Sequence, residues 1–245
     1  MTRTRPTAGG AQEPVLVGNL YDKYGTRNPF ARALMRRFLG AVSDLYARVN
    51  PETVLEIGCG EGHLAQHLVT RAARPARFVA CDVDLRALRP DLDPLIETRQ
   101  ASAYELPFGR GEFDLVVCCE VLEHLQAPER ALAEATRIAR RAVLLSTPRE
   151  PIWRVLNVAR GRYLRRMGDT PGHVQHFSRR ALTALASESL RVLECRTPPP
   201  WTVLLGAPIG RGTSSSGRPG VDSRPLAGAV LPPGADAGGL AKHER

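Results

Sequence analysis

The chain has almost no lysine: Lys23 and Lys242 are the only two in 245 residues, so arginine supplies nearly all the positive charge. A formal net charge of +9 would otherwise point towards a nucleic-acid partner. Scarce lysine beside abundant alanine, glycine and proline reads instead as a coding bias towards GC-rich codons. The arginines are scattered except between Arg160 and Arg166, and phosphate affinity comes from clustering, so the charge argues against nucleic acid. No apolar run approaches the roughly 20 residues needed to cross a bilayer, which excludes a helical membrane span. No apolar segment follows Arg3 and Arg5, so no secretory signal is read there and a cytoplasmic location is the expectation. No pair among the five cysteines (Cys59, Cys81, Cys118, Cys119 and Cys195) has zinc-knuckle spacing. Most sit in or beside apolar strand-like runs, which predicts buried reduced thiols and excludes a disulfide framework.

What is present is a globular pattern, with 43% hydrophobic residues and length enough for one domain. Residues 1–14 are polar and read as a disordered N-terminus. Apolar residues at Ala31, Leu34, Met35, Phe38, Val42, Leu45, Tyr46 and Val49 recur at helical spacing, and Pro51 ends that helix. Short apolar runs then alternate with helical segments. Strands are predicted at 54–57, 77–81, 114–118 and 142–146, and helices at 64–72 and 128–141. Pro128 and Glu129 suit the first turn of the second helix. Strands this continuously apolar, separated by helices, predict a doubly wound, Rossmann-like α/β sheet that is mostly parallel, with helices on both faces.

The stretch 150–175, with Trp153, Tyr163 and several arginines, breaks the rhythm and reads as an insertion placed to lid a site. Ser178 then suits an N-cap, with Phe177 stapled to Leu182. Runs at 190–195 and 202–205 predict a final antiparallel hairpin around Pro198-Pro199-Pro200. Beyond residue 205 the composition turns to Gly, Pro, Ser and Ala, and 206–245 reads as a disordered tail, leaving 15–205 as the domain.

The most informative segment is Glu56-Ile57-Gly58-Cys59-Gly60-Glu61-Gly62-His63, a strand end, a glycine-rich turn and a helix start. Glycines let a ligand lie directly on the backbone, and the helix start directs N–H groups at an anion such as a carboxylate. A dinucleotide site wants glycines at the first, third and sixth positions; here they fall at first, third and fifth. Glu56 would repel a pyrophosphate but suits a ligand carrying an ammonium and a sulfonium. Asp82 closes the second strand, where a carboxylate is placed to accept ribose hydroxyls, and Asp84 is expected to cap the next helix.

This segment resembles the first signature motif of the class I S-adenosylmethionine-dependent methyltransferases, with the likeness covering roughly 21–205. The resemblance implies that Gly58, Cys59, Gly60 and Gly62 pack against the methionine and ribose parts of S-adenosylmethionine, with Asp82 and Val83 at the ribose. Around the adenine, Ser102 stands where the family usually carries an acid, with the Ala103 backbone as a substitute contact. Tyr21 and Tyr24 fall in a region that folds over the cofactor in similar enzymes.

The predicted strand at 114–118 runs into Glu120-Val121-Leu122-Glu123-His124. In a doubly wound sheet this strand lies beside the first, at the switch point where ligands bind, so Glu120, expected as a further cofactor contact, and His124 are placed beside the glycine turn. Methyl transfer needs an aligned acceptor and, for a hydroxyl, a proton acceptor; His124 and His176 are the candidate catalytic residues. Glu120, Glu123 and His124 also form a potential ligand set for Mg²⁺ or Mn²⁺. The string is similar to one in ubiquinone-pathway O-methyltransferases and in small-RNA 3′-terminal 2′-O-methyltransferases, where it binds a divalent ion. His176, then His173, are the choices for a further ligand. The expectation is an enzyme that methylates a small organic acceptor at a hydroxyl oxygen, the alternatives being a metal-assisted RNA 3′-terminal 2′-O-methyltransferase and a non-catalytic cofactor-binding module.

Overall fold

A computed structural model of the chain describes residues 26–159, 161 and 167–210. The expectations for Tyr21, Tyr24, Tyr163, the arginines from Arg160 to Arg166, residues 1–14 and the tail past 210 lie outside the described residues.

Helix α1 (Pro29–Val49) starts at Asn28, whose side-chain oxygen accepts the Phe30 and Ala31 N–H groups at 2.9 and 3.2 Å, with Pro29 in the first position. Its buried stripe of Met35, Phe38, Val42, Leu45, Tyr46 and Val49 lies against the sheet. The chain continues as β1 (Thr53–Ile57), α2 (His63–Arg71), β2 (Arg77–Asp82), β3 (Ile96–Gln100), β4 (Phe113–Cys119), α3 (Pro128–Ile138) and β5 (Ala139–Pro148). It ends with α4 (Ile152–Ala159), α5 (Arg179–Ser187), β6 (Leu190–Arg196) and β7 (Trp201–Pro208).

Among the described residues these strands form a 7-stranded sheet in the order β3-β2-β1-β4-β5-β7-β6. β1 pairs in parallel with both β2 and β4, and β7 runs antiparallel between β5 and β6. Successive strand residues point to opposite faces, so each strand feeds two cores. Val54, Leu115 and Val117 pack with α1 and α2, while Leu55, Val116 and Cys118 pack with α3 and α5. Order 1-4 at the centre of the sheet makes the switch point, and the ends of β1 and β4 open there together.

A buried carboxylate paired with an exposed guanidinium anchors the opposite end of those two strands. Asp114 accepts the Glu52 and Thr53 N–H groups at 2.9 and 3.2 Å and Arg140 Nε at 2.9 Å. Burial pushes its carboxyl up, but Arg140 and the two backbone donors outweigh that and hold it below the usual range.

Three boundaries differ from expectation. β3 carried no sequence signal because it is an edge strand on which only Ile96 is buried. Residues 139–141 belong to β5 and not to the preceding helix, since Ala139 pairs with Phe113 and Arg140 is drawn to Asp114. Gly206 belongs to β7, paired with Val143 and Val192, and a Cβ there would meet Leu190 Cβ at 2.9 Å, so this glycine is a packing residue. At α5, Ser178 Oγ accepts the Ala181 N–H at 3.1 Å while Phe177 and Leu182 are buried in one layer, as the capping pattern predicts.

Candidate active site at the switch point

The glycine turn is held by the neighbouring strand. The Gly58 and Cys59 N–H groups both donate to the Cys81 carbonyl, at 2.7 and 2.9 Å, and the Gly60 N–H donates to Asp82 Oδ2 at 2.8 Å. The other Asp82 oxygen accepts the Asp84 N–H at 3.2 Å, so the carboxylate is oriented from both sides. Asp84 in turn caps a single 3₁₀ turn by accepting the Arg86 N–H.

Two of the glycines have different reasons to be glycine. Both adopt positive φ, +72° at Gly58 and +53° at Gly60. A Cβ on Gly58 would lie 2.4 Å from Val121 Cγ2, so β1 and the segment after β4 need that contact. A Cβ on Gly60 would meet nothing within 4 Å, so the turn faces open space there.

Glu56, on β1 just before the turn, is only 3% exposed, and its Oε2 has no hydrogen-bond partner among the described residues. Burial first, then the nearby Asp82 carboxylate, raise its pKa from 4.5 to about 8. A buried carboxyl with one oxygen lacking a donor, beside a second carboxylate and an open backbone turn, fits a cationic ligand with hydroxyls. The surrounding thiols are not nucleophiles: burial pushes Cys81 and Cys118 up to about 12, and all five cysteines are free. Past β3 the chain returns to the same edge, where the Ala101 N–H donates to the Asp82 carbonyl at 2.9 Å. Ser102 Oγ accepts the Tyr104 N–H at 3.3 Å and builds the next turn, and Ala103 is buried.

The predicted reacting segment follows β4 as a 3₁₀ turn, Leu122–His124. His124 Nδ1 lies 2.9 Å from the Gly172 carbonyl; a carbonyl only accepts, so Nδ1 carries a proton and the neutral ring has its lone pair on Nε2. The Glu123 carbonyl accepts the Val174 and Gln175 N–H groups at 2.9 and 3.0 Å, which ties residues 172–175 to this turn. Through that tie His173 meets His124 edge to face, with ring centroids 4.9 Å apart. Potential ligand atoms of Glu123, His124 and His173 all lie within 4.8 Å of one another.

Two expected members of that cluster stand elsewhere. Glu120 turns its carboxylate to Ser146 Oγ at 3.1 Å and Trp201 Nε1 at 2.7 Å, on β5 and β7. His176 pairs with Asp169 at 2.8 Å, because the backbone tie at Glu123 brings residue 173 to the turn and carries 176 on towards α5. His173, the second choice on sequence, takes the place given to His176. Val121, Ser146 and Trp201 are site-edge residues that sequence reasoning did not single out. Glu120 itself was singled out, but its partners lie on distant strands.

A methyltransferase-domain family model matches residues 27–189 of the chain, spanning α1 to α5 and every residue of the glycine turn. The chain belongs to that family. This methyltransferase-family chain is 37% identical over 117 residues to the Mycobacterium tuberculosis protein named "Probable S-adenosylmethionine-dependent methyltransferase", covering 46% of this chain and 42% of that one. It is 32% identical over 104 residues to a ubiquinone biosynthesis O-methyltransferase of Thiobacillus denitrificans, covering 40% and 44%. The chain therefore spans less than half the length of these curated relatives. In fold it is similar to magnesium protoporphyrin IX methyltransferase from Synechocystis PCC 6803, solved with bound SAH, at a TM-score of 0.54 and 15% identity over 76% of this chain and 90% of that one. Its class I, Rossmann-like sheet carries one antiparallel strand, β7. No described helix is long and apolar enough to cross a membrane.

Proposed function

We propose that this chain transfers a methyl group from S-adenosylmethionine to a hydroxyl oxygen of a small organic acceptor. The observation that carries the reading is Glu56: a buried carboxyl with an unpartnered oxygen, set behind an open glycine turn and beside Asp82. When bound, S-adenosylmethionine supplies an electrophilic methyl on a sulfonium, together with an ammonium and ribose hydroxyls. Glu56 offers the ammonium side a buried counter-charge, Gly58, Cys59, Gly60 and Gly62 the backbone floor, and Asp82 with Val83 the ribose contact. Ser102 and Ala103 line the adenine side.

Transfer to a hydroxyl also requires a proton acceptor, and His124 Nε2 is suited to it because Gly172 holds the tautomer. His173 braces the ring. His176, hydrogen-bonded to Asp169, serves the surrounding loop. Isothermal titration with S-adenosylmethionine tests the reading directly. Binding that Gly60→Arg abolishes and Asp82→Ala weakens by about a hundredfold is expected; no binding, or binding indifferent to both changes, overturns it.

A metal-assisted form of the same chemistry is favoured by one observation, the convergence of Glu123, His124 and His173. One carboxylate and two imidazoles suit Mn²⁺ better than Mg²⁺, which prefers oxygen alone. His124 also shows the usual outer-shell arrangement of a ligating histidine, its Nδ1–H given to a carbonyl. Methylation of a metabolite extract with labelled donor, with and without chelator, separates the two forms.

A further inference from the structure

Glu120 lies at the junction between β4 and the 3₁₀ turn with φ +61°, a conformation costly for a residue with a side chain. Both of its carboxylate oxygens are used to bind other strands, Oε1 by Ser146 of β5 and Oε2 by the Trp201 indole N–H of β7. Trp201 is buried and continues the contact outward. Its ring is 4.9 Å from Phe38 of α1 and 5.8 Å from Trp153 of α4. Trp153 is fixed by its own N–H on Thr170 Oγ1 at 2.9 Å and lies 27° from parallel with the His173 ring, 6.4 Å away. His173 returns the contact to His124. Side chains from β7, α4 and the 170–175 segment thus make a closed ring that leaves the 120–124 segment at Glu120 and re-enters it at His124.

We propose that Glu120 is a positioning residue: by accepting the Trp201 indole N–H it sets the wall of rings that holds His173 against His124, and it takes no part in binding the methyl donor. Its role in catalysis rests on the function proposed above, whereas its role in the wall does not. The chain's only tryptophans, Trp153 and Trp201, both belong to this wall, so its two indole N–H resonances report on the ring and nothing else. A charge-assisted bond to a carboxylate moves one of them downfield.

The test compares the full chain with Glu120→Gln, Glu120→Ala and Trp201→Phe by ¹H–¹⁵N spectroscopy and by titration with S-adenosylhomocysteine. In Glu120→Ala the downfield indole signal is expected to move upfield and the His124 and His173 imidazole signals to shift. Glu120→Gln, which keeps an accepting oxygen, should restore most of the imidazole pattern. Trp201→Phe keeps the ring but not the N–H and should shift the same imidazoles, which covers the case of a Glu120→Ala chain that does not fold. Affinity for S-adenosylhomocysteine is expected to stay within about threefold throughout, well under the roughly tenfold change that 1.4 kcal/mol represents. A loss of about tenfold or more with the indole and imidazole signals unmoved overturns the proposal and makes Glu120 a donor ligand. If the wild type binds no S-adenosylhomocysteine, the proposed function fails; the wall then stands or falls on the spectra alone.

Discussion

The Asp82 carboxylate accepts the Gly60 N–H at 2.8 Å, so the residue assigned to the ribose is also a structural support of the turn beneath it. The bond crosses from β2 to the loop after β1 and fixes the carboxylate beside that turn. Asp82→Asn retains an acceptor for the N–H but loses the charge. It should weaken S-adenosylmethionine binding by about tenfold, whereas Asp82→Ala loses both and should weaken it by about a hundredfold, on the order of 1.5–3 kcal/mol for hydrogen bonds to a charged group. Calorimetric titration of both variants checks the order.

Glu56 makes binding and folding depend on pH in opposite directions. Its carboxyl is raised from 4.5 to about 8, so near neutral pH the folded chain keeps it protonated while the unfolded chain ionises it. The stability this contributes is fully present below 4.5 and is lost as pH rises through about 8. Relative to Glu56→Gln, the wild-type melting temperature should therefore fall progressively across that window. A cationic ligand needs the ionised form, so binding at neutral pH should release a proton and tighten as pH rises towards 8. Titrations in buffers of different ionisation enthalpy measure that proton, and Glu56→Gln should abolish it.

The two glycines should separate folding from binding. Gly58→Ala drives a Cβ onto Val121 and should cost on the order of 2–4 kcal/mol, read as a lowered denaturation midpoint, with partial recovery in the Gly58→Ala/Val121→Ala double variant. Gly60→Ala meets open space and should cost only about 1 kcal/mol of stability through its backbone, while weakening donor binding more strongly.

Asp114 predicts acid sensitivity. Because Arg140 and two backbone N–H groups hold its pKa down, its contribution is present above the unfolded carboxylate range and is lost as pH falls through the depressed folded value. Asp114→Ala removes the acceptor of the Glu52 and Thr53 N–H groups and should cost on the order of 1–3 kcal/mol at neutral pH. Denaturant melts of the variant and the wild type should converge as the pH is lowered.

For the metal-assisted form, His173→Ala should abolish Mn²⁺-induced broadening of the His124 resonances, whereas His176→Ala should leave it intact. The difference follows from their places, His173 against His124 and His176 on Asp169.

Much of this was legible in the residues because the signals are local. Ser178 before α5, the stripe of α1 and the three glycines each act within a few residues of themselves. The apolar runs of β1, β2, β4 and β5 are buried on both faces and so announce themselves. β3 did not, because four of its five residues are exposed and its identity comes from hydrogen bonds to β2.

Local chemistry in the chain was enough to commit it to an alternating α/β sheet, a glycine bend behind an acidic strand end, and a carboxylate one strand over. Those features follow from dihedral freedom, capping and hydrophobic spacing, which act over a handful of bonds. Which histidine reaches the turn after β4, and where the Glu120 carboxylate goes, came from folding in three dimensions. The Glu123 carbonyl selects His173 over His176, and the insertion of β7 between β5 and β6 brings Trp201 to Glu120. Those contacts join residues dozens of positions apart, and their partners are set by strand register and loop closure, for which neither side carries a signal alone.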